Sequence, residues 1–99
     1  MFHMLTKRQK ILNLKKLHNL PVSINTCSLT NELITFHSGA LNFLEIEYFI
    51  ISNLIDDNIE YEIINQRLLN VDNLKVDCIN VKLGENKFEK YFFDISNVY

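Results

Sequence analysis

The sequence predicts a single domain of the α+β class, and three observations lead to this prediction. The chain has 99 residues, which is the size of one small domain. Hydrophobic residues make up 47% of it, with only two glycines and one proline, a composition typical of a folded core. Some segments have hydrophobic residues at helical spacing, whereas others alternate between polar and apolar residues as strands do.

The first predicted element is a helix over residues 7–18. Thr6 and Gln9 have the spacing of a capping box, in which the threonine hydroxyl and the glutamine amide each satisfy a free backbone amide of the first turn. Pro21 prevents the helix from continuing, because proline lacks the amide hydrogen and its ring clashes with the preceding turn.

This N-terminal segment is strongly basic. Residues 1–18 contain five lysines and arginines and no acid, whereas the remaining residues hold all twelve acidic side chains. We therefore interpret residues 1–20 as a basic helical arm on a domain of residues 21–99. Such an arm suggests contact with a polyanion or self-association, and a solvated helix face is the alternative.

Short strands and a central helix are predicted next. Residues 22–26 and 32–37 are short β-branched runs that predict an antiparallel pair. Residues 43–55 follow, with Leu44, Tyr48 and Ile51 on one face and further apolar residues beside them. Because most of its circumference is apolar, this helix is expected in the middle of the domain.

The region after the central helix contains a predicted strand and a predicted short helix. Residues 59–63 alternate between apolar and acidic side chains, the pattern of a half-buried strand. Asn65 could then cap a short helix over residues 66–69.

Residues 72–83 fit two interpretations. As a helix, they bring Leu74, Cys78 and Val81 onto one face; as a strand, they alternate with a change of phase in the middle. In the second case residues 84–87 form the loop of a C-terminal hairpin whose other strand spans 88–95. The local pattern favours the hairpin, and both interpretations stay open.

Five segments share a pattern with a known family. Residues 47–54 read EYFIISNL, residues 63–65 and 68–69 read IIN and LL, residues 74–84 end in VKLG, and residues 95–99 read ISNVY. Together they resemble the winged-helix DNA-binding domain of OmpR/PhoB- and ToxR-type regulators. The resemblance implies a small winged-helix-like fold, with a recognition helix over 72–83 and a truncated wing.

The resemblance also implies a non-enzymatic, DNA-binding regulator of transcription, in which a dimer would double the contacts with double-stranded DNA. Lysines of the recognition helix would meet phosphates or bases, and basic residues of the wing hairpin and the arm would add phosphate contacts. The residues expected to bind DNA are Lys75, Lys82, Lys87, Lys90, Lys7, Arg8 and Lys10.

The alternative function is a small acidic inhibitor or immunity-type module that blocks a basic, nucleic-acid-handling protein. The net charge of −2 favours such a partner. The acidic residues expected to pair with it are Asp56, Asp57, Glu60 and Glu62. An exposed edge strand, expected at 88–95, could add to a partner's sheet.

Catalytic and metal chemistry are not expected. The soft ligands are three histidines and two cysteines, and no pair has ligand spacing such as CxxC or HxxxH; they are His3, His18, His37, Cys27 and Cys78. We therefore expect no cofactor, no bound metal and no small-molecule substrate. The two cysteines are expected to be buried, reduced thiols of a cytoplasmic protein without a membrane segment.

Overall fold

The computed structural model describes residues 5–99, which form two helices and a five-stranded mixed sheet, so the α+β class is confirmed. In chain order the elements are α1 (Lys7–His18), β1 (Val22–Cys27), β2 (Thr30–Phe36), α2 (Phe43–Leu54), β3 (Tyr61–Val71), β4 (Leu74–Leu83) and β5 (Lys87–Asp94). The predicted N-terminal helix, first strand pair, central helix and C-terminal hairpin are all present.

The strand order in the sheet is β1-β2-β5-β4-β3. The β2–β5 pair is parallel and the other three pairs are antiparallel. The last strand therefore lies in the middle of the sheet, and β1 and β3 are its edges. The expectation that residues 88–95 form an exposed edge strand is wrong, because β5 has a neighbour on each side.

Helix α1 begins at the predicted capping box. The Gln9 amide donates to Thr6 Oγ1 at 3.1 Å, and the Thr6 amide donates to Gln9 Oε1 at 2.9 Å. The helix ends at Asn19, which takes the left-handed conformation (φ 51°) that asparagine tolerates at a helix end. Ile11 is completely buried in the main core. The basic segment is therefore attached to the body of the domain.

The main core lies between the two helices and one face of the sheet. We call this the helix-side face; in the central strands it carries Ile34, Ile79, Val81, Tyr91 and Phe93. From α2, Ile50 and Ile51 are completely buried against it. Helix α2 is not buried around its whole circumference, because it contacts the sheet on one side only. Leu44, Tyr48 and Phe49 are exposed on its other side.

The opposite face of the sheet, the open face, has no helix on it among residues 5–99. A smaller apolar cluster covers one end of this face, formed by Leu33, Val71 and Val76 with Phe92 beside them. Two bonds from Ser28 to the Asp72 carboxylate, at 2.8 and 3.1 Å, hold the β1–β2 turn to the β3–β4 turn at the same end.

Residues 72–83 are not a helix. Asp72 and Asn73 both have positive φ (51° and 64°) and form a two-residue turn between β3 and β4, a geometry that asparagine and aspartate accept readily. Strand β4 lies between β5 and β3 and has apolar residues on both faces of the sheet: Ile79, Val81 and Leu83 in the main core and Val76 in the smaller cluster. In the sequence, a strand that is apolar on both faces resembles a broad helical stripe. The recognition helix expected from the winged-helix resemblance is absent, and the resemblance is not confirmed.

The expectation of a short helix at residues 66–69 is also wrong. These residues lie inside β3, where they pair in register with Ile79 to Val76 of β4. Asn65 does not cap a helix; its side-chain oxygen accepts a hydrogen bond from the Asn80 amide across the strand pair. The intrinsic tendency of asparagine to begin a helix is overridden by the eleven-residue strand pairing.

Alanine substitutions at the neighbouring residues Phe49 and Ile50 of α2 are expected to lower the free energy of unfolding by different amounts. Ile50→Ala removes a completely buried side chain and should lower the free energy of unfolding by about 2–5 kcal/mol. Phe49→Ala should cost clearly less, since Phe49 is 36% exposed. Urea titration measures both. Equal losses for the two variants would contradict the one-sided packing of α2.

Candidate functional site

The longest strand of the protein is also an edge of its sheet. Strand β3 has eleven residues, and only its inner side pairs with β4. No strand among residues 5–99 pairs with its outer side, so the outward-pointing backbone groups of β3 are free. Every residue from 61 to 68 is exposed, including Tyr61, Ile63, Ile64 and Leu68 at 37–48%.

The pairing register assigns the β3 side chains to the two faces of the sheet. Ile63 lies opposite Val81 and Asn65 lies opposite Asn80, so Ile64 is an extra residue that forms a bulge. On the helix-side face are Tyr61, Ile63, Gln66 and Leu68; on the open face are Glu62, Asn65 and Arg67. The bulge thus reverses the alternation within the strand.

A chain of polar side chains links this edge strand to α2 and β4. Tyr48 Oη donates to Gln66 Oε1 at 2.6 Å, and Gln66 Nε2 donates to Asp77 Oδ2 at 2.5 Å. Beside it is an open pocket of about 360 Å³ with mostly apolar walls. The pocket is lined by Phe43, Leu44, Gln66, Leu68, Asp77, Ile95 and Tyr99.

A buried pair of acids lies at the inner end of this polar chain. Glu47 is completely buried and Asp77 is 5% exposed. Burial raises the pKa of Glu47 to about 9, and neighbouring Asp77 adds to the rise. Glu47 is therefore protonated at neutral pH. Neither of its oxygens accepts a bond from a donor within residues 5–99, which suits a carboxylic acid that donates to the Asp77 carboxylate.

The structure brings the predicted acidic residues together at the start of β3. Asp56 and Asp57 follow α2, and Glu60 and Glu62 lead into the edge strand; all four are exposed. The Glu60 carbonyl accepts a hydrogen bond from the Gly84 amide at 2.9 Å, which fixes this segment to the neighbouring hairpin loop. The acidic surface and the free edge are therefore continuous.

The seven basic residues expected to bind DNA do not share one surface. Lys82 and Lys90 lie on the open face, whereas alternation puts Lys75 and Lys87 on the opposite side of their strands. Lys75 Nζ lies 4.2 Å from the centre of the Tyr99 ring, a cation–π contact.

The basic residues of α1 lie against the helix side of the domain. Lys7 Nζ lies 4.3 Å from the centre of the Tyr91 ring and donates to the Lys90 carbonyl at 3.3 Å. Burial lowers the pKa of Lys7, although nearby acids oppose the change. Lys10 Nζ is 3.9 Å from the Asp56 carboxylate, and Arg8 is exposed. Lys7 and Lys10 therefore already have contacts within the chain.

The sequence prediction did not place Arg67 on the open face, because the predicted strand ended at residue 63 whereas β3 continues to Val71. Arg67 lies on this face, opposite Cys78, and so joins Lys82 and Lys90 there. Phe88 pairs with Lys82 and is 64% exposed. The Asp72-Asn73 pair, a two-residue turn between apolar runs, is the signal that could have extended the strand to Val71.

The cysteines and histidines occupy separate places. Cys78 is buried, which raises the pKa of its thiol, and Cys27 is half-buried; both are free thiols. The side chains of His37 and Ser23 form a hydrogen bond of 2.7 Å, and the rings of His18 and Phe49 make a T-shaped contact. His3 lies outside the described residues. Within residues 5–99, no three His, Cys, Asp or Glu side chains are grouped to hold a metal ion.

Hydropathy gives no spanning helix in the described part of the chain: neither α1 nor α2 is long and apolar enough to cross a membrane. Comparison of the chain with protein-family models, with curated proteins and with solved structures finds no match.

The buried Glu47 should make stability depend on pH. Because its pKa is about 9 in the folded protein and about 4.5 when unfolded, the folded state retains a proton that the unfolded chain releases. Its contribution is intact below pH 4.5 and falls as pH rises towards 9. Glu47→Gln should remove this fall, whereas Glu60→Gln, an exposed control, should not.

Urea titrations from pH 5 to 8.5 measure this effect as the difference between wild type and variant, which should grow by up to about 1.4 kcal/mol per pH unit. Parallel profiles for wild type and Glu47→Gln would show that Glu47 is ionised in the folded protein.

Proposed function

We propose that this chain is a non-enzymatic, protein-binding module of the acidic inhibitor or immunity type, and that it binds through the outer edge of β3. The observation that carries this proposal is the long free edge, whose exposed side chains include Tyr61, Ile63 and Leu68. An added strand would satisfy the free backbone groups, and its alternate side chains would contact those of β3.

Strand β3 has only part of the usual protection of an exposed edge, namely the bulge at Ile64 and the charges of Glu62 and Arg67. Natural sheets guard their edges with lysines, prolines or very short strands, because an open edge invites pairing with other chains. Strand β3 has eleven residues, no lysine and no proline, and Arg67 is its one basic residue. Its length and apolar content therefore favour a surface that is covered when the protein acts.

The acidic residues beside the β3 edge indicate what kind of partner would bind there. Asp56, Asp57 and Glu60 precede the edge, and Glu62 lies within it. This acidic surface would attract a basic protein segment and speed its association. The interaction would weaken with added salt, because these acids are exposed.

Nucleic-acid binding is the second candidate, and a different observation favours it. Lys82, Lys90 and Arg67 share the open face with the exposed Phe88, and aromatic rings beside basic groups can stack bases. A DNA-binding regulator would have to use this sheet face, since residues 72–83 offer no recognition helix. Glu62 on the same face would repel phosphate, which favours the protein partner.

A basic extended peptide should bind the β3 edge. The probe is a ten-residue peptide of alternating lysine and valine, and its control is the same peptide with glutamate in place of lysine. Only the lysine peptide should bind, and it should slow hydrogen exchange of outward-facing β3 amides. Ile64→Lys, a charge on the bulge, should weaken binding about tenfold, whereas Leu12→Lys, on the exposed side of α1, should not.

Fluorescence anisotropy with random duplex and single-stranded DNA at low salt separates the two candidates. The protein-binding proposal expects no binding at tens of micromolar, a range in which non-specific DNA binding is ordinarily seen. Tight DNA binding that Lys82→Ala and Lys90→Ala weaken, together with no response to the lysine peptide, would replace the first candidate with the second.

A further inference from the structure

Strand β3 is complementary to itself when two copies run in opposite directions. In the register that places Glu62 opposite Arg67 of a second copy, Tyr61 faces Leu68 and Ile63 faces Gln66. Symmetry repeats each contact, so one pairing contains two ion pairs and two contacts between tyrosine and leucine. All six side chains are exposed in the single chain.

The bulge at Ile64 makes this register possible. Residues directly opposite in antiparallel strands share a face. Glu62 and Arg67 are both on the open face, and Tyr61, Leu68, Ile63 and Gln66 are all on the helix-side face. In an unbroken strand, residues 62 and 67 would lie on opposite faces, because side chains alternate. The extra residue reverses the alternation between them and brings the opposite charges to one face.

Neighbouring registers are less suitable. A shift by one residue would place Glu62 opposite Gln66 or Leu68, which lie on the other face of the sheet. A shift by two residues would place it opposite Asn65 or Leu69, so that the second copy would supply no cation beyond the Lys82 that already neighbours Glu62 within the chain. The charges and the alternation therefore select the same register.

We infer that, in the absence of another partner, two copies of this chain pair through their β3 edges in the register that joins Glu62 to Arg67 of the second copy. The two sheets become one ten-stranded sheet with all four helices on one side. The pairing covers the exposed Tyr61, Ile63 and Leu68 and ends the exposure of the free edge. This inference rests on the proposed function, since both require that β3 accepts an added strand.

Charge exchange tests the register directly. Light scattering after size-exclusion chromatography, at about 100 µM protein and low salt, should give twice the chain mass for wild type. Glu62→Arg and Arg67→Glu each put like charges at both ion pairs, and each should raise the dimer dissociation constant at least about tenfold. The double variant E62R/R67E restores opposite charges and should restore the dimer.

A mixture of the two single variants provides a second test. Opposite charges then meet at both positions, so the mixture should form a dimer although each component alone does not. Matched controls make the same charge changes elsewhere: Glu45→Arg, exposed on α2, and Lys16→Glu, exposed on α1, should remain dimeric. Circular dichroism and urea titration should show that every variant is folded.

A monomeric wild type, dimeric single variants or a mixture that stays monomeric would overturn the inference. Binding of the lysine peptide distinguishes the failure of the dimer inference from the failure of the protein-binding proposal. If wild type is monomeric yet binds the peptide at β3, the dimer is refuted and the protein-binding proposal stands. If the dimer forms as described and no peptide displaces the second copy, the proposal of a basic partner falls and the self-pairing remains.

Discussion

The parallel pairing of β2 with β5 joins two units that the chain forms separately. One unit is the β1–β2 hairpin, and the other is the antiparallel β3–β4–β5 segment. They meet over a short register, where Leu33, Ile34 and Thr35 lie opposite Phe92, Phe93 and Asp94.

Both apolar clusters contain residues from β2 and from β5, and so connect the two units. Phe36 and Phe93 stack on the helix-side face with ring centres 6.0 Å apart, and Phe92 supports Leu33 on the open face. Because β5 occupies the centre, β3 is displaced to the edge of the sheet. The candidate site therefore exists as a consequence of how the two units are joined.

The elements with a local signal were predictable from the sequence. The capping box of Thr6 and Gln9 and the apolar spacing of residues 43–55 depend on neighbours within a few positions, and the structure contains both helices at those places. The hairpin that ends in β5 was also visible from its turn. The signal for each of these elements comes from residues close to one another in the sequence.

The strand order and the edge could not be predicted in the same way. Residues 74–83 have apolar side chains on both faces of the sheet, because one face packs in the main core and the other adds Val76 to the smaller cluster. Such a run looks alike in a buried strand and in a buried helix. Asn65 has the local chemistry of a helix cap, but long-range pairing with Asn80 decides its conformation. The buried Glu47 was hidden inside an apolar helix, and its meeting with Asp77 depends on the packing of α2 against β4.

The edge strand is connected to the interior by polar contacts as well as by its backbone. Gln66 is exposed on β3, yet its amide reaches Asp77, and Asp77 neighbours the buried Glu47. Gln66, Asp77 and Glu47 thus form a line of polar side chains from the exposed edge to the buried interior.

The central position of β5 also has a consequence for synthesis on the ribosome. The β1–β2 hairpin and α2 emerge well before β5, yet the strand that joins them to β3 and β4 is made last. Until residue 94 leaves the exit tunnel, β2 and β4 both have open sides, and most of the core cannot close. Folding of this domain therefore follows translation of its last strand, and the nascent chain exposes apolar strands during that interval.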